Sequence, residues 1–250
     1  FNLSSMGVVR LTFTPNTTLA PSDTQLGETA FVAGGSLTSY DGLELVEHGF
    51  PLFPEGINVE VVAGGGAMTA GAHQVVVVAV VVDTAGQRHQ SAPSLPVTGT
   101  TALNDRLRVR VPSLLVSAKT NVYLVAYITQ AAGLTFNRVG TVGAGAGGTL
   151  NDTALPFTTL ALIDAADTTY AGNELLYTQP NQGGTTLPNL APGPCSVLGK
   201  HQGRLWFDKA DQVAQWGCSQ QYVINVGLQC NPALGGREIE PPREDFEVDR

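Results

Sequence analysis

Four histidines, His48, His73, His89 and His201, are the side chains of this sequence best suited to proton transfer near neutral pH. None stands beside an Asp, Ser or Cys at a spacing that suggests a triad, and neither a G-x-S-x-G elbow nor an H-E-x-x-H pattern occurs. Structural roles are expected for all four. Two carboxylate pairs, Glu44 with Glu47 and Asp164 with Asp167, have the residue types that glycoside hydrolysis needs. Residues three apart in a strand point to opposite faces, so Glu44 and Glu47 cannot act together. Asp164 and Asp167 stand where a strand gives way to a turn, where Asp binds backbone amides. The stretch Asp164-Ala165-Ala166-Asp167 offers too few oxygens for a calcium loop. No catalytic constellation is expected.

Cys195, Cys218 and Cys230 are odd in number and match no zinc spacing, with only His201 among them. They read as buried free thiols in an assembly that matures in a reducing cytosol. The glycine-rich run 143–148 is followed by neither Lys-Ser/Thr nor a helical pattern, so it is read as a surface loop rather than a phosphate cradle. No metal and no cofactor are expected.

The formal charge of −8 argues against a phosphate-gripping surface built on clustered Lys and Arg, but not against a wall that DNA slides past. The longest apolar run, 75–82, has eight residues, against roughly 20 for a membrane-spanning helix. Neither a targeting segment nor a membrane partner is read. Asn2, Asn16 and Asn151 open Asn-x-Ser/Thr triplets, which carry little weight without a secretory signal. The chain opens on Phe1 rather than Met, which points to a piece of a longer protein.

The elements that position these residues are strands. The chain of 250 residues is rich in Val, Thr, Ala, Leu and Gly and poor in Lys and Glu, which predicts an all-β protein with many turns. Strands are predicted at 8–13, 29–33, 36–40 and 43–47, the last two joined at Asp41-Gly42. Further strands are predicted at 57–62, 73–83, 122–128, 135–142 and 160–164. The run 75–82 reads as buried on both faces. Leu107, Val109 and Val111 alternate with Arg106, Arg108 and Arg110, a half-buried strand with one basic face. Ser91-Ala92-Pro93-Ser94 must leave its sheet, because proline cannot donate to a ladder. About seven strands in 55–172 fit an immunoglobulin-like or fibronectin-like sandwich. The run 237–250, REIEPPREDFEVDR, reads as a solvated linker or as a strand whose partner lies elsewhere.

Several words in the chain belong together. H-x-G-R-L-W at 201–206, Trp216 and Asn231-Pro232 resemble blade text of the tail-tube (nozzle) proteins of short-tailed bacteriophages. Where that family has W-Y-S, this chain has Trp216-Gly217-Cys218-Ser219. The stretches 34–50, 171–178 and 190–196 also resemble the family's blades, and 83–94 followed by 121–127 resembles its fibronectin type III-like insert. The resemblance implies a sandwich, 55–172, inserted between β-propeller-like segments 1–54 and 173–250. It implies a blade motif of His201, Arg204, Trp206 and Trp216, with the rings covering blade-to-blade contacts and Arg204 structural. It further implies a non-enzymatic virion subunit assembled in the host cytoplasm, a homo-oligomer (a hexamer in that family) around the DNA-exit channel. Adaptor and fibre proteins would be its partners, and genomic DNA would pass without specific binding. Two alternatives stand beside it: a module recognising a host-surface glycan or another tail protein, and a tail depolymerase.

Overall fold

The computed structural model describes residues 22–50, 52–83, 86, 88–115, 119–140, 148–176, 195–201, 204–208 and, as backbone, 216–218. They are nearly all β, in several sheets. In chain order the first strands are β1 (Asp23–Leu26), β2 (Thr29–Val32), β3 (Thr38–Tyr40), β4 (Leu45–Glu47), β5 (Asn58–Val62), β6 (Gly71–Val82), β7 (Arg88–Gln90) and β8 (Val97–Thr101). There follow β9 (Arg106–Pro112), β10 (Tyr123–Thr129), β11 (Phe136–Arg138), β12 (Thr149–Leu150), β13 (Phe157–Thr159), the short helix α1 (Asp167–Tyr170), β14 (Leu198–His201), β15 (Arg204–Asp208) and β16 (Trp216–Cys218).

The β-branched run sits at the centre of the largest sheet. β6 pairs antiparallel with β10 along one side, and with β8 and then β7 along the other. From Val75 to Val81 its odd-numbered and even-numbered residues are both buried, in two separate clusters, while Val82, expected to be buried with them, is exposed at the end of the strand. On one face Val75, Val77, Leu124 and Ile128 meet Leu107, Val109 and Val111 of β9, the middle strand of the sheet β13–β9–β5. Packing two antiparallel sheets face to face in this way removes both apolar surfaces from water. On the other face Val76, Val78, Val80, Val125 and Tyr127 pack with Tyr123, Phe136 and Leu176.

The break predicted at Ser91-Ala92-Pro93-Ser94 separates β7 from β8, and its hydroxyls take over part of the ladder. Ser94 Oγ accepts the Val77 N–H at 3.0 Å and Ser91 Oγ accepts the Ala79 N–H at 2.9 Å, both buried. At Gly99 of β8 an added Cβ would lie 2.8 Å from Leu107 Cδ2 and 3.1 Å from Val59 Cγ1, so any side chain here would have to push these two core residues aside.

Residues from 26–37 and from 195–207 form a second, smaller core. β1 to β4 make a four-stranded meander, and β14, β15 and β16 a three-stranded one. The predicted Asp41-Gly42 turn joins β3 to β4: Asp41 Oδ1 accepts the Leu43 and Glu44 N–H groups, and Gly42 takes φ 102°. Leu26, Phe31, Ala33 and Leu37 pack against Cys195, Leu198, Leu205 and Phe207. A backbone bridge between Gly35 and Cys195 and a bond from the Leu198 N–H to Ser22 Oγ tie the two segments together.

Some predicted elements differ. The expected strand at 160–164 is not one: β13 lies earlier, and only Ile163 bridges to Leu107 beyond it. Leu160 and Ile163 are apolar because they fill the core as extended chain, which periodicity alone reads as a strand. The strand expected at 135–142 is the short β11, and α1 was not expected at all. The strand expected at 8–13 and the glycine-rich run 143–147 lie outside the described residues.

Candidate functional site

The blade motif is placed on two neighbouring strands and the backbone of a third. β14 and β15 pair with His201 opposite Arg204 and Gly199 opposite Trp206, while β16 sets Cys218 opposite Trp206 and Trp216 opposite Asp208. Alternation along β15 sends Leu205 and Phe207 into the small core and leaves Arg204, Trp206 and Asp208 half-buried on the other face. The Trp206 indole N–H is buried and has no hydrogen-bond partner among the described residues. His201 is exposed at the strand end.

Asp208, at the end of the same strand, organises this corner and was not singled out from sequence. Its Oδ1 accepts the Ser196 and Val197 N–H groups at 2.6 and 2.8 Å, and its Oδ2 accepts the Ser196 hydroxyl. A carboxylate twelve positions from its partners gives no local signal. The pairing follows from the β14–β15 register, which sets Asp208 beside the start of β14. Burial, reinforced by the Asp208 charge, pushes the Cys195 thiol up to about 12, so it stays protonated and inert. Cys195 is a buried free thiol as expected. The Cys218 side chain and all of Cys230 lie outside the described residues.

The other three histidines are held by the fold. His48 is buried with its ring edge-on to Phe31, centroids 5.2 Å apart. His73 is fully buried, with Nδ1 and Nε2 each 3.0 Å from a backbone carbonyl, of Thr129 and Thr69. Both nitrogens are engaged, which leaves none for a metal or substrate. The structure brings one acid to a histidine that sequence spacing did not single out: His89 Nε2 lies 2.7 Å from Asp83 Oδ2 across the β6–β7 hairpin. Among the described residues no hydroxyl or thiol is hydrogen-bonded to His89.

In each carboxylate pair one member has a side-chain partner, Asp167 in one and Glu47 in the other. Asp167 Oδ2 accepts the Ala131 N–H at 2.8 Å, fixing the β10–β11 turn, and the Asp164 carbonyl accepts the Ala67 N–H. Glu47 forms an ion pair with Lys119 at 3.2 Å, with side chains 11% and 6% exposed. The Lys119 ammonium also lies over the Phe50 ring, 5.3 Å from its centroid. Burial lowers the Lys119 pKa, and Glu47 partly offsets that. The pair joins β4 of the small core to the chain that leads into β10 of the large one.

One further charged cluster lies on the outer face of the six-stranded sheet. Glu174 receives Arg88 Nη1 at 2.7 Å and Arg138 Nη1 at 2.8 Å, and the Tyr127 hydroxyl lies 3.2 Å from Arg88 Nη2. Burial works against the Glu174 charge, but Arg138 and Arg88 outweigh it and hold the carboxyl below its ordinary range. Residues 174–176 run alongside β11 through bonds from Arg138 N–H to the Glu174 carbonyl and from Leu176 N–H to the Phe136 carbonyl. The two arginines therefore fasten the departing chain to the sheet. Among the described residues no group of three or more His, Cys, Asp or Glu is placed to hold a metal ion.

No family model, curated protein or solved structure matches this chain.

Proposed function

We propose that this protein is a structural, non-enzymatic subunit of a bacteriophage tail tube or nozzle, forming a ring around the DNA-exit channel. The observation that carries the reading is the shared core of 22–50 and 195–208, closed through Gly35 and Cys195 across an intervening sandwich. Blade, insert and blade is the layout the resemblance implied. A four-stranded antiparallel meander such as β1–β4 is the form of a propeller blade. In the insert, β6–β10–β11 faces β5–β9, the way strands C, F and G face B and E in immunoglobulin-like sandwiches. β13, beside β9, has no counterpart in that scheme.

The His48, His73 and Asp167 partners described above are those of a scaffold, which favours a mechanical role over a depolymerase. The glycan-binding alternative called for aromatic side chains gathered at one loop end of the sandwich. Among the described residues of 55–172 the exposed large apolar side chains are mostly leucines, such as Leu103 and Leu134, and Phe157 is a lone exposed aromatic rather than part of a cluster. In the proposed role stiff β-domains hold a ring, and net negative charge keeps phosphates from sticking.

The test is light scattering and electron microscopy of the full chain, followed by titration with duplex DNA. The expected result is a closed ring that scarcely binds DNA at low salt. A persistent monomer, tight salt-sensitive DNA binding, or turnover of a host polysaccharide lost on Asp164→Asn or Asp167→Asn would overturn the proposal.

A further inference from the structure

Three arginines occupy alternate positions of one strand in a chain with a net charge of −8. Arg106, Arg108 and Arg110 of β9 lie on the face of β13–β9–β5 opposite the one that buries Leu107, Val109 and Val111. Strand geometry spaces them by about 6.6–6.8 Å. Their cross-strand neighbours are Val62, Glu60 and Asn58 on β5, with Thr159 of β13 beside Arg110. Glu60 binds Arg108 at 3.2 Å, with side chains 48% and 35% exposed. Arg110 is exposed between Asn58 and Thr159, while the Arg106 side chain packs on Gly65 and Gly66 with its Nε buried, and among the cross-strand neighbours there is one acid for three arginines.

The chain contains the complementary pattern. In Asp245-Phe246-Glu247-Val248-Asp249 three carboxylates also fall at alternate positions, separated by residues that favour strands. An extended segment with this sequence presents its acids at the spacing of the arginines. Residues 245–249 lie outside the described residues, and the chain between Cys218 and Asp245 can extend over roughly 90 Å, ample to reach the sheet. We propose that the outer face of β13–β9–β5 is a docking surface for the acidic segment 245–249, with carboxylates laid onto Arg106, Arg108 and Arg110. β9 is the central strand of its sheet, so the contact is face-on and electrostatic, not an added strand. It is independent of the ring reading, because a monomer can make it.

Zero-length carbodiimide coupling, which joins an amine to a carboxylate in direct contact, tests this in the full chain. Arg108→Lys should couple to Glu60 and so verifies the chemistry on a known pair. Arg110→Lys should couple to Asp245, Glu247 or Asp249, with the yield falling several-fold in 0.5 M salt. Exchanging Glu247 and Val248 (E247V/V248E) keeps composition and charge but breaks the alternation, and should lower that yield several-fold as well. Coupling of Arg108→Lys to Glu60 without coupling of Arg110→Lys to 245–249 would overturn the proposal. So would coupling of Arg110→Lys to other acids alone, or an equal yield after the exchange.

Discussion

The two cores of this molecule are built from opposite kinds of sequence. The large one is dominated by a strand of consecutive β-branched residues whose partners lie within the same stretch of chain. The small one joins short strands from positions near 30 and near 200, each contributing only a few apolar side chains. The first is rigid because a long strand is buried on both faces. The second depends on a backbone bridge, a hydroxyl and a carboxylate, namely Gly35–Cys195, Ser22 and Asp208. Stability should therefore be unevenly distributed, and each half should be separately breakable.

Both tryptophans, Trp206 and Trp216, belong to the small core's strands, so tryptophan fluorescence reports that part while far-ultraviolet dichroism is dominated by the sandwich. Phe31→Ala should cost about 3–5 kcal/mol in the small core. In urea its fluorescence transition should move to lower denaturant while the dichroism transition stays. Leu107→Ala should do the reverse, at about 2–5 kcal/mol. If both probes shift together in both variants, the two cores are one cooperative unit and the comparison fails.

The link between the halves comes next. Glu47→Ala takes the carboxylate away from the buried Lys119 ammonium and leaves it the Glu47 backbone carbonyl; it should cost about 3 kcal/mol, whereas Glu47→Leu with Lys119→Met should come close to neutral. Thermal melts of the two variants decide it, and equal losses in both would assign the effect to packing.

A smaller effect is expected within the sandwich. Ser94→Ala removes the acceptor of the buried Val77 N–H and should cost about 1–3 kcal/mol. Hydrogen exchange at that amide should accelerate. Unchanged protection would mean the proline-containing break contributes nothing to the ladder.

The smallest effect is a pH dependence. The Glu174 carboxyl is held below its ordinary 4.5 in the folded state. Its contribution is therefore fully present above that value and is lost as pH falls through the lower, folded one. Glu174→Gln should flatten the acid limb of a melting-temperature profile below about pH 4.5 and leave the neutral region nearly parallel to the parent. A profile of unchanged shape would show that the two arginines do not act through its charge.

How much of this was legible depended on whether the forces were local. The β6 valines and the alternating β9 declare themselves because burial imposes a short period on neighbouring residues. Asp41-Gly42 declares itself because few residue pairs tolerate that turn. β1, DTQL, buries only Leu26 fully and shows no apolar alternation, so it went unseen until β2 was there to pair with it. The His89–Asp83 pair and the Asp208 bonds arise from register, a property of two strands that neither carries alone. Of the blade motif, sequence supplied the residues and their alternation. It did not supply the core that Leu205 and Phe207 share with Phe31.

The bridge between Gly35 and Cys195 also sets a clock. During synthesis the first meander leaves the ribosome roughly 145 residues before its partner, a wait of roughly 7–30 s at 5–20 residues per second. Until then Leu26, Phe31 and Leu37 lack Leu198, Leu205 and Phe207, the other half of their core, and are open to wrong partners. The sandwich can form within that interval. Once formed, it holds the two ends of its own chain in place, so the late strands search a far smaller volume than a free loop would leave them.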